Sequence, residues 1–256
     1  MDQEFDKSIM FNNINFLIKE KGKKIGEVEK EAGVSPGYIS RASKDENSMP
    51  GLEFVIKVAH ILQFSIDTLI SVRLDKFTPT ERYIISFLDK MISDTKQDKI
   101  DWNKEDMWHL REGLEHDVNG KCKHPLIKYV NIFEPRSAVE VEGDIFESKT
   151  FGLDTVISGD CFNMSMNERM ILYIMNISCA PTDEAAIEIT IKAPGIEPTY
   201  IASTEDIGEI GNRVNELYKI ISESMKHIKI NENIKNAINN YMDDVVEEDN
   251  PPLPFD

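Results

Sequence analysis

Apolar residues recur at three- and four-residue steps through the first third of the chain, the period of helices that bury one face. Phe11, Ile14, Leu17 and Ile18 form one such set, Ile25, Val28 and Ala32 a second, and Ile39 and Ala42 a shorter third. Pro50 opens a fourth with Leu52, Val55, Ile56, Ala59 and Leu62, and Phe64-Ser65-Ile66-Asp67-Thr68-Leu69-Ile70 completes the series. The spacing predicts five helices in residues 9–73. Beyond them, Thr78-Pro79-Thr80-Glu81 carries a capping-box signal, and Tyr83, Ile84, Phe87, Leu88, Met91 and Ile92 give the next helix a wide apolar face. Such a face suits packing on a C-terminal domain or pairing with its twin in a dimer. A further helix is expected from Asn103 to Asp117, with Met107, Trp108, Leu110 and Leu114 for packing and Asn119-Gly120 in the loop after it.

From residue 126 the period shortens. Leu126 to Phe133, Ala138 to Val141, Ile145 to Phe151, Met170 to Ile177, Ala186 to Ile191 and Thr199 to Ala202 read as short strands, punctuated by Gly143, Gly152, Gly159, Pro181 and Gly195. Short connections favour a mostly antiparallel sheet. Two helices follow, one over 205–226 with Ile207, Ile210, Val214, Leu217, Ile220 and Ile221 inward, the other over 231–245 with Ile234, Ile238, Tyr241 and Met242 inward. They are expected to cover one face of the sheet, with Gly208 and Gly211 as close-packing sites. The expected architecture is thus an all-α five-helix domain over 9–73, a helical connector over 78–124 and an α+β domain over 125–246, an antiparallel sheet plus two C-terminal helices. Residues 247–256, acidic and rich in proline, are expected to form a mobile tail.

The turn between the second and third helices carries the chemistry. Gly33 ends an apolar-faced helix where a left-handed residue belongs, Ser35 is placed to cap the next helix, and Pro36 suits its first position. Ile39 and Ala42 face inward, leaving Gly37, Tyr38, Ser40, Arg41 and Lys44 outward and rich in donors. Arg41 can fork onto guanine O6 and N7, Ser40 can serve a base or a phosphate, and Tyr38 can bond a phosphate or pack on a thymine methyl. Lys44 suits phosphate neutralisation. Pro36 and Gly37 carry no long side chain, so the amides at the helix start are expected to approach a phosphate closely.

The words Ala32-Gly33-Val34-Ser35-Pro36-Gly37-Tyr38-Ile39-Ser40-Arg41 and Ala59-His60-Ile61-Leu62-Gln63-Phe64-Ser65-Ile66-Asp67-Thr68-Leu69-Ile70 make this region similar to a known domain. It resembles the helix-turn-helix domain of the Cro and phage-repressor (xenobiotic-response-element, XRE) family of bacterial regulators. The resemblance implies a sequence-specific reader of double-stranded DNA that works as a two-fold dimer, with half-sites one helical turn, ~34 Å, apart. Two positions depart from the family pattern. Glu29 stands where a small residue usually packs and is expected to bend outward, and Ile25 stands where a glutamine often touches phosphate. Lys23 and Lys24 are the substitutes for that phosphate contact.

A net charge of -17 is unusual for a DNA reader until it is divided along the chain. Residues 7–73 hold ten Lys or Arg against eight Asp or Glu, whereas residues 74–256 hold 19 against 35. An acidic body would repel DNA, confine contact to the N-terminal domain and make affinity steeply salt-dependent. The absence of an 18-residue apolar stretch and of a charged-then-apolar leader leads us to expect a soluble cytoplasmic protein without membrane association. Cys122, Cys161 and Cys179 are odd in number and widely spaced, as reduced thiols would be.

Enzymatic readings find little support in the sequence. Self-cleaving repressors use a serine with a lysine base, and Ser165 with Lys192 is the pair to consider. The Ala32-Gly33 bond lies inside the reader, and the two side chains read as a loop serine and a surface strand lysine. Cys122, His124, His109 and His116 lack the paired spacing of structural zinc, and His60 falls in a predicted helix and His227 at the end of one. No cofactor is expected. What remains for the C-terminal domain is dimerisation or sensing of a small-molecule, peptide or protein effector, with Met164, Met166, Met170 and Met175 as adaptable pocket lining or core filler. The resulting expectation is a homodimeric repressor of phage, mobile-element or host operons. The alternative is an antitoxin-like interaction module that autoregulates through its reader.

Overall fold

The computed structural model describes residues 6–45, 49–105, 131–132, 141–142, 148–151, 155–179, 182–194, 196, 198–226 and 232–244. Five helices come first: α1 (Lys7–Glu20), α2 (Ile25–Ala32), α3 (Tyr38–Lys44), α4 (Leu52–Leu62) and α5 (Ile66–Ser71). Their inward residues, among them Phe11, Ile14, Leu17, Val28, Ile39, Val58 and Leu62, close into one core. The buried Asn13 stitches this core to its exit. Its Nδ2 donates to the carbonyls of Leu69 (2.9 Å) and Val72 (2.6 Å), and its Oδ1 accepts from Leu74 N–H (3.1 Å). Three of the residues expected to face inward do not: Ile25, Leu52 and Ile56 are exposed, because Phe54 and Val58 take the inner face of α4. Ile25 sits in the first turn of α2, too far out to reach that core.

Helix α6 (Pro79–Lys96) begins with the capping box read from the sequence. Thr78 N–H donates to Glu81 (2.6 Å) and Glu81 N–H to Thr78 Oγ1 (3.3 Å), which holds the Glu81 carboxyl below its usual range. Ile85, Leu88, Met91 and Ile92 turn into a second core shared with the sheet and with α7 (Gly208–Ser224). Tyr83, expected on the apolar face, is exposed. The helix expected from Asn103 is corrected at its start: Asn103–Glu105 form β1, pairing antiparallel with Asn163–Cys161, and the rest of that segment lies outside the described residues. The buried Trp102 anchors this change of direction by donating its indole N–H to Thr95 Oγ1 (3.1 Å).

The five-stranded sheet has the order β1-β4-β5-β6-β7, every neighbour antiparallel, with β4 (Thr155–Asn167), β5 (Met170–Cys179), β6 (Ala185–Lys192) and β7 (Thr199–Ser203). Strand β4 was not expected, because Gly159 reads as punctuation. It marks a bulge instead, where the register shifts between Ile157 and Cys161 and a Cβ would meet Asn176 Nδ2 at 2.7 Å. Residues 148–151 form a bridge and a turn rather than the end of a strand. Asn131–Ile132 (β2) pairs with Val141–Glu142 (β3); the remainder of the strands expected at 126–151 is outside the described residues.

One sheet face, with Phe162, Leu172, Ile174 and Ile189, packs on α6 and α7. Gly211 permits the close approach of α7, since a Cβ there would lie 2.6 Å from the Thr204 carbonyl oxygen; Gly208 faces open space. Ile207 is exposed, as is the apolar stripe Ile234, Ile238, Tyr241 and Met242 of α8 (Glu232–Asp244), so α7 alone takes the covering role expected of both helices. The methionines diverge. Met164 packs toward α6 and α7, Met175 is buried on the opposite sheet face, and Met166 and Met170 are exposed at the hairpin. A cleft of about 570 Å³ lies elsewhere, between α4–α5 and α6, lined by Phe64, Tyr83, Phe87, Asp89 and Asp94 among others.

Two charged junctions join the cores. Arg82 of α6 forks onto the Glu20 carboxylate, bonds the Phe77 carbonyl and stacks 4.7 Å above the Phe16 ring. Asp89 accepts from Ser65 N–H (3.2 Å) and Thr68 Oγ1 (2.7 Å) at the start of α5, and from Arg213 Nε (2.8 Å) of α7. Arg213 and Asp89 are both nearly buried, and the guanidinium also donates to Glu209 and to Thr68 Oγ1. The Asp89 and Glu209 carboxylates hold the Arg213 pKa above its usual value although burial pulls the other way.

Candidate nucleic-acid interface

Helices α2 and α3 meet across a turn that begins at Gly33, a left-handed residue with φ of 76°. The turn differs from the expected one in its last step. Helix α3 starts at Tyr38, two residues later than expected, and its cap is Gly37 with φ of 78°. Ser35 therefore does not cap α3 through its side chain, and Pro36 does not occupy its first position. Instead the Ser35 carbonyl accepts from Tyr38 N–H (3.0 Å).

Glu29 explains the shift. It is 2% exposed rather than bent outward, and its carboxylate takes Gly37 N–H on one oxygen (2.7 Å) and Ile39 N–H on the other (2.9 Å). With Tyr38 N–H on the Ser35 carbonyl, three amides at the start of α3 are engaged within the chain. This corrects the expectation that they approach a phosphate: the donors of Gly37, Tyr38 and Ile39 are already used. The sequence carried the signal, an acid at a seam position, but a glutamate on a helix with Glu27, Lys30 and Glu31 reads as solvated unless the amides facing it are known.

Ser35, Pro36, Ser40, Arg41 and Lys44 are exposed, and Lys24 is exposed at the start of α2. Gly37 and Tyr38 are half-buried, and Tyr38 has core duty after all, its ring edge-on to Phe54 at 4.8 Å. Arg41 folds back on its own turn, donating to the Pro36 carbonyl (3.0 Å) and to Ser35 Oγ (2.9 Å). To meet an external partner it exchanges two neutral acceptors, a small cost beside a charged or bidentate one. Lys23 pairs with Glu31 at 3.6 Å, whereas Lys24 and Lys44 have no ion pair among the described residues. The exposed surface of α3 thus presents Ser40 and then two cations in its last turn, Arg41 and Lys44, behind a helix start whose Gly37, Tyr38 and Ile39 amides are satisfied internally.

The serine–lysine pair is not assembled. Ser165 and Lys192 both lie opposite Ile171, on either side of β5, which sets their backbones about 10 Å apart at two strand spacings. Ser165 is in a strand, not the expected loop. The histidines and the cysteine considered for zinc, His109, His116, His124 and Cys122, lie outside the described residues. Among the described residues no helix is long and apolar enough to cross a membrane.

The opposite face of the sheet holds a second buried acid that sequence reading missed. Glu188 accepts from Thr150 N–H (3.0 Å) and Thr150 Oγ1 (2.7 Å), with longer contacts from Lys149 N–H and Thr190 Oγ1. At the β7 edge, Tyr200 donates to Asp206 (2.6 Å), and burial together with that bond pushes its phenol well above its usual pKa.

Comparison with known proteins gives a partial match. The chain is 34% identical over 53 residues to the HTH-type transcriptional regulator SinR of Bacillus licheniformis, a stretch that covers 21% of this chain and 48% of the relative. It is 35% identical over 52 residues to the SinR of Bacillus subtilis (strain 168), covering 20% of this chain and 47% of that protein. The match therefore spans about half the length of each relative. No family model matches the chain, and no solved structure matches it. The similarity is to helix-turn-helix transcriptional regulators and concerns about a fifth of the chain.

Proposed function

We propose that the chain is a DNA-binding transcriptional regulator of the Cro/phage-repressor (XRE) type, with residues 9–73 as its reader, 78–124 as a connector and 125–246 as a dimerisation or sensing domain. The 53-residue likeness to HTH-type regulators carries the reading. In support, α2 and α3 meet across a left-handed glycine, and α3 is short, rigidly capped and exposed along the side bearing Ser40, Arg41 and Lys44. Arg41 reads a guanine edge, Ser40 a base or phosphate, and Lys24 and Lys44 neutralise phosphates. Tyr38 and the Ser35-Pro36-Gly37 turn shape the contact surface rather than donating backbone amides. One reader contacts too few base pairs for high specificity, so the active species is a cytoplasmic homodimer on a palindromic site. It represses by occluding a promoter and performs no chemistry.

The direct test is recovery of bound genomic DNA fragments with wild type and the Arg41→Ala, Lys44→Ala double variant at matched salt. Enrichment of a palindromic site by wild type alone is the expected result, and equal enrichment by both overturns the recognition-helix assignment. A second reading, an antitoxin-like interaction module that autoregulates through its reader, is favoured by one observation, the exposed stripe Ile234, Ile238, Tyr241 and Met242 on α8. Co-purification of a stoichiometric protein partner that masks this stripe would favour it.

A further inference from the structure

The carboxylate of Glu29 has no role in a reader whose helices are simply packed through small residues. It sits 2% exposed in the α2–α3 seam, and both oxygens are spent on backbone N–H groups of the segment that leads into α3, Gly37 at 2.7 Å and Ile39 at 2.9 Å. Those amides are spaced across the left-handed Gly37, whose φ of 78° ends the turn and aims the helix. Fixing both to one rigid planar group of the preceding helix fixes the direction in which α3 leaves the seam. We infer that Glu29 is a positioning residue for base reading: its buried carboxylate clamps the Gly37 and Ile39 amides to α2 and so sets the reach of Ser40 and Arg41. The inference rests on the DNA-reading assignment above.

The clamp has a chemical signature that packing alone lacks. A carboxylate accepts both N–H groups, whereas the nearly isosteric glutamine offers one oxygen and sets its own NH2 against the other amide. Glu29→Gln therefore keeps the volume and breaks half of the clamp. The two consequences for DNA have opposite signs. Removing a negative charge from the reader raises affinity for any duplex through the electrostatic term. A misaimed α3 lowers affinity for the duplex whose bases it reads. The ratio of the two affinities thus reports positioning, and a loss of folded protein would lower both together.

The experiment uses the full chain as wild type, Glu29→Gln and Glu29→Asp. Amide hydrogen exchange at Gly37 and Ile39 is measured without DNA. Affinity is then measured for a duplex enriched from a random pool by the wild type and for a scrambled duplex of the same composition. Expected in Glu29→Gln is exchange about tenfold faster at one or both amides, with the enriched-to-scrambled affinity ratio reduced about tenfold. Glu29→Asp, a shorter carboxylate, recovers part of both. Unchanged exchange overturns the clamp, and accelerated exchange with an unchanged ratio overturns its positioning role. Failure of the wild type to enrich any duplex, with the amides still responding to Glu29→Gln, overturns the DNA-reading assignment and leaves the carboxylate as a structural clamp only.

Discussion

The N-terminal helical region and the sheet each bury one glutamate among the described residues, and each carboxylate ends on backbone N–H groups of an irregular segment, but the two segments lie differently in their surroundings. Glu29 holds Gly37 and Ile39, and just beyond them α3 exposes Ser40, Arg41 and Lys44 to solvent. Glu188 holds Lys149 and Thr150 against the face of the sheet turned away from α6 and α7, in company with the buried Ser148 and Thr190. The same chemistry therefore orients an exposed helix in one region and fastens a covering turn in the other. A buried carboxylate is tolerated in both because charge-assisted bonds to N–H groups compensate its lost hydration.

The largest expected effect concerns whether these regions behave as one body. Arg213→Ala leaves Asp89 without its guanidinium in the junction between α5, α6 and α7, and is expected to cost about 3 kcal/mol, the low end for breaking a buried pair because Ser65 and Thr68 still serve Asp89. In urea unfolding followed by near-ultraviolet circular dichroism, this variant should split a single transition into two; a single unshifted transition would show that the junction couples nothing. Next in size, Glu188→Ala removes the acceptor of the Thr150 amide and hydroxyl and should lower stability by about 2–3 kcal/mol, leaving duplex affinity of the folded protein unchanged. A drop in affinity per folded molecule would break the contrast between the two glutamates.

The smallest effect belongs to the edge of the sheet. Tyr200→Phe deletes one hydrogen bond to Asp206 and should cost about 1 kcal/mol at neutral pH. Its pH dependence has a definite sign. Burial and the Asp206 bond raise the Tyr200 phenol above its ordinary 10.0 in the folded chain, and burial raises Tyr218 as well. The unfolded chain therefore loses these protons first, so the contribution is complete below about pH 10 and is lost as pH rises through the folded-state value. Alkaline unfolding should shift upward in Tyr200→Phe; an unaltered alkaline midpoint would remove this phenol from the account.

Much of the helical region was legible because its signals are local. The three- and four-residue spacing of Phe11, Ile14, Leu17 and Ile18, the Gly33 turn and the Thr78–Glu81 box each depend on residues within one or two helical turns. The strands β5, β6 and β7 were legible from their β-branched runs. What escaped depends on partners remote in sequence. Strand β4 hides behind the bulge at Gly159, β1 is three polar residues whose strand state comes only from pairing with β4, and Ile25 and Leu52 obey the helical period yet sit beyond the reach of the core. In the interface, the exposed places of Ser40, Arg41 and Lys44 follow from their spacing against Ile39 and Ala42. The late start of α3, the engagement of Tyr38 with Phe54 and the burial of Glu29 do not, since each is decided by a contact across the seam or between helices.

The most direct measurement of the central claim is the affinity ratio between an enriched and a scrambled duplex at several salt concentrations, for wild type and Arg41→Ala. Reading through α3 predicts that Arg41→Ala lowers this ratio by about tenfold or more, the equivalent of one lost bidentate base contact at about 1–3 kcal/mol, while the protein stays folded. An equal loss for both duplexes, with the ratio unchanged and the salt slope reduced by about one, would assign Arg41 to the phosphate backbone. That outcome would contradict base reading by this helix.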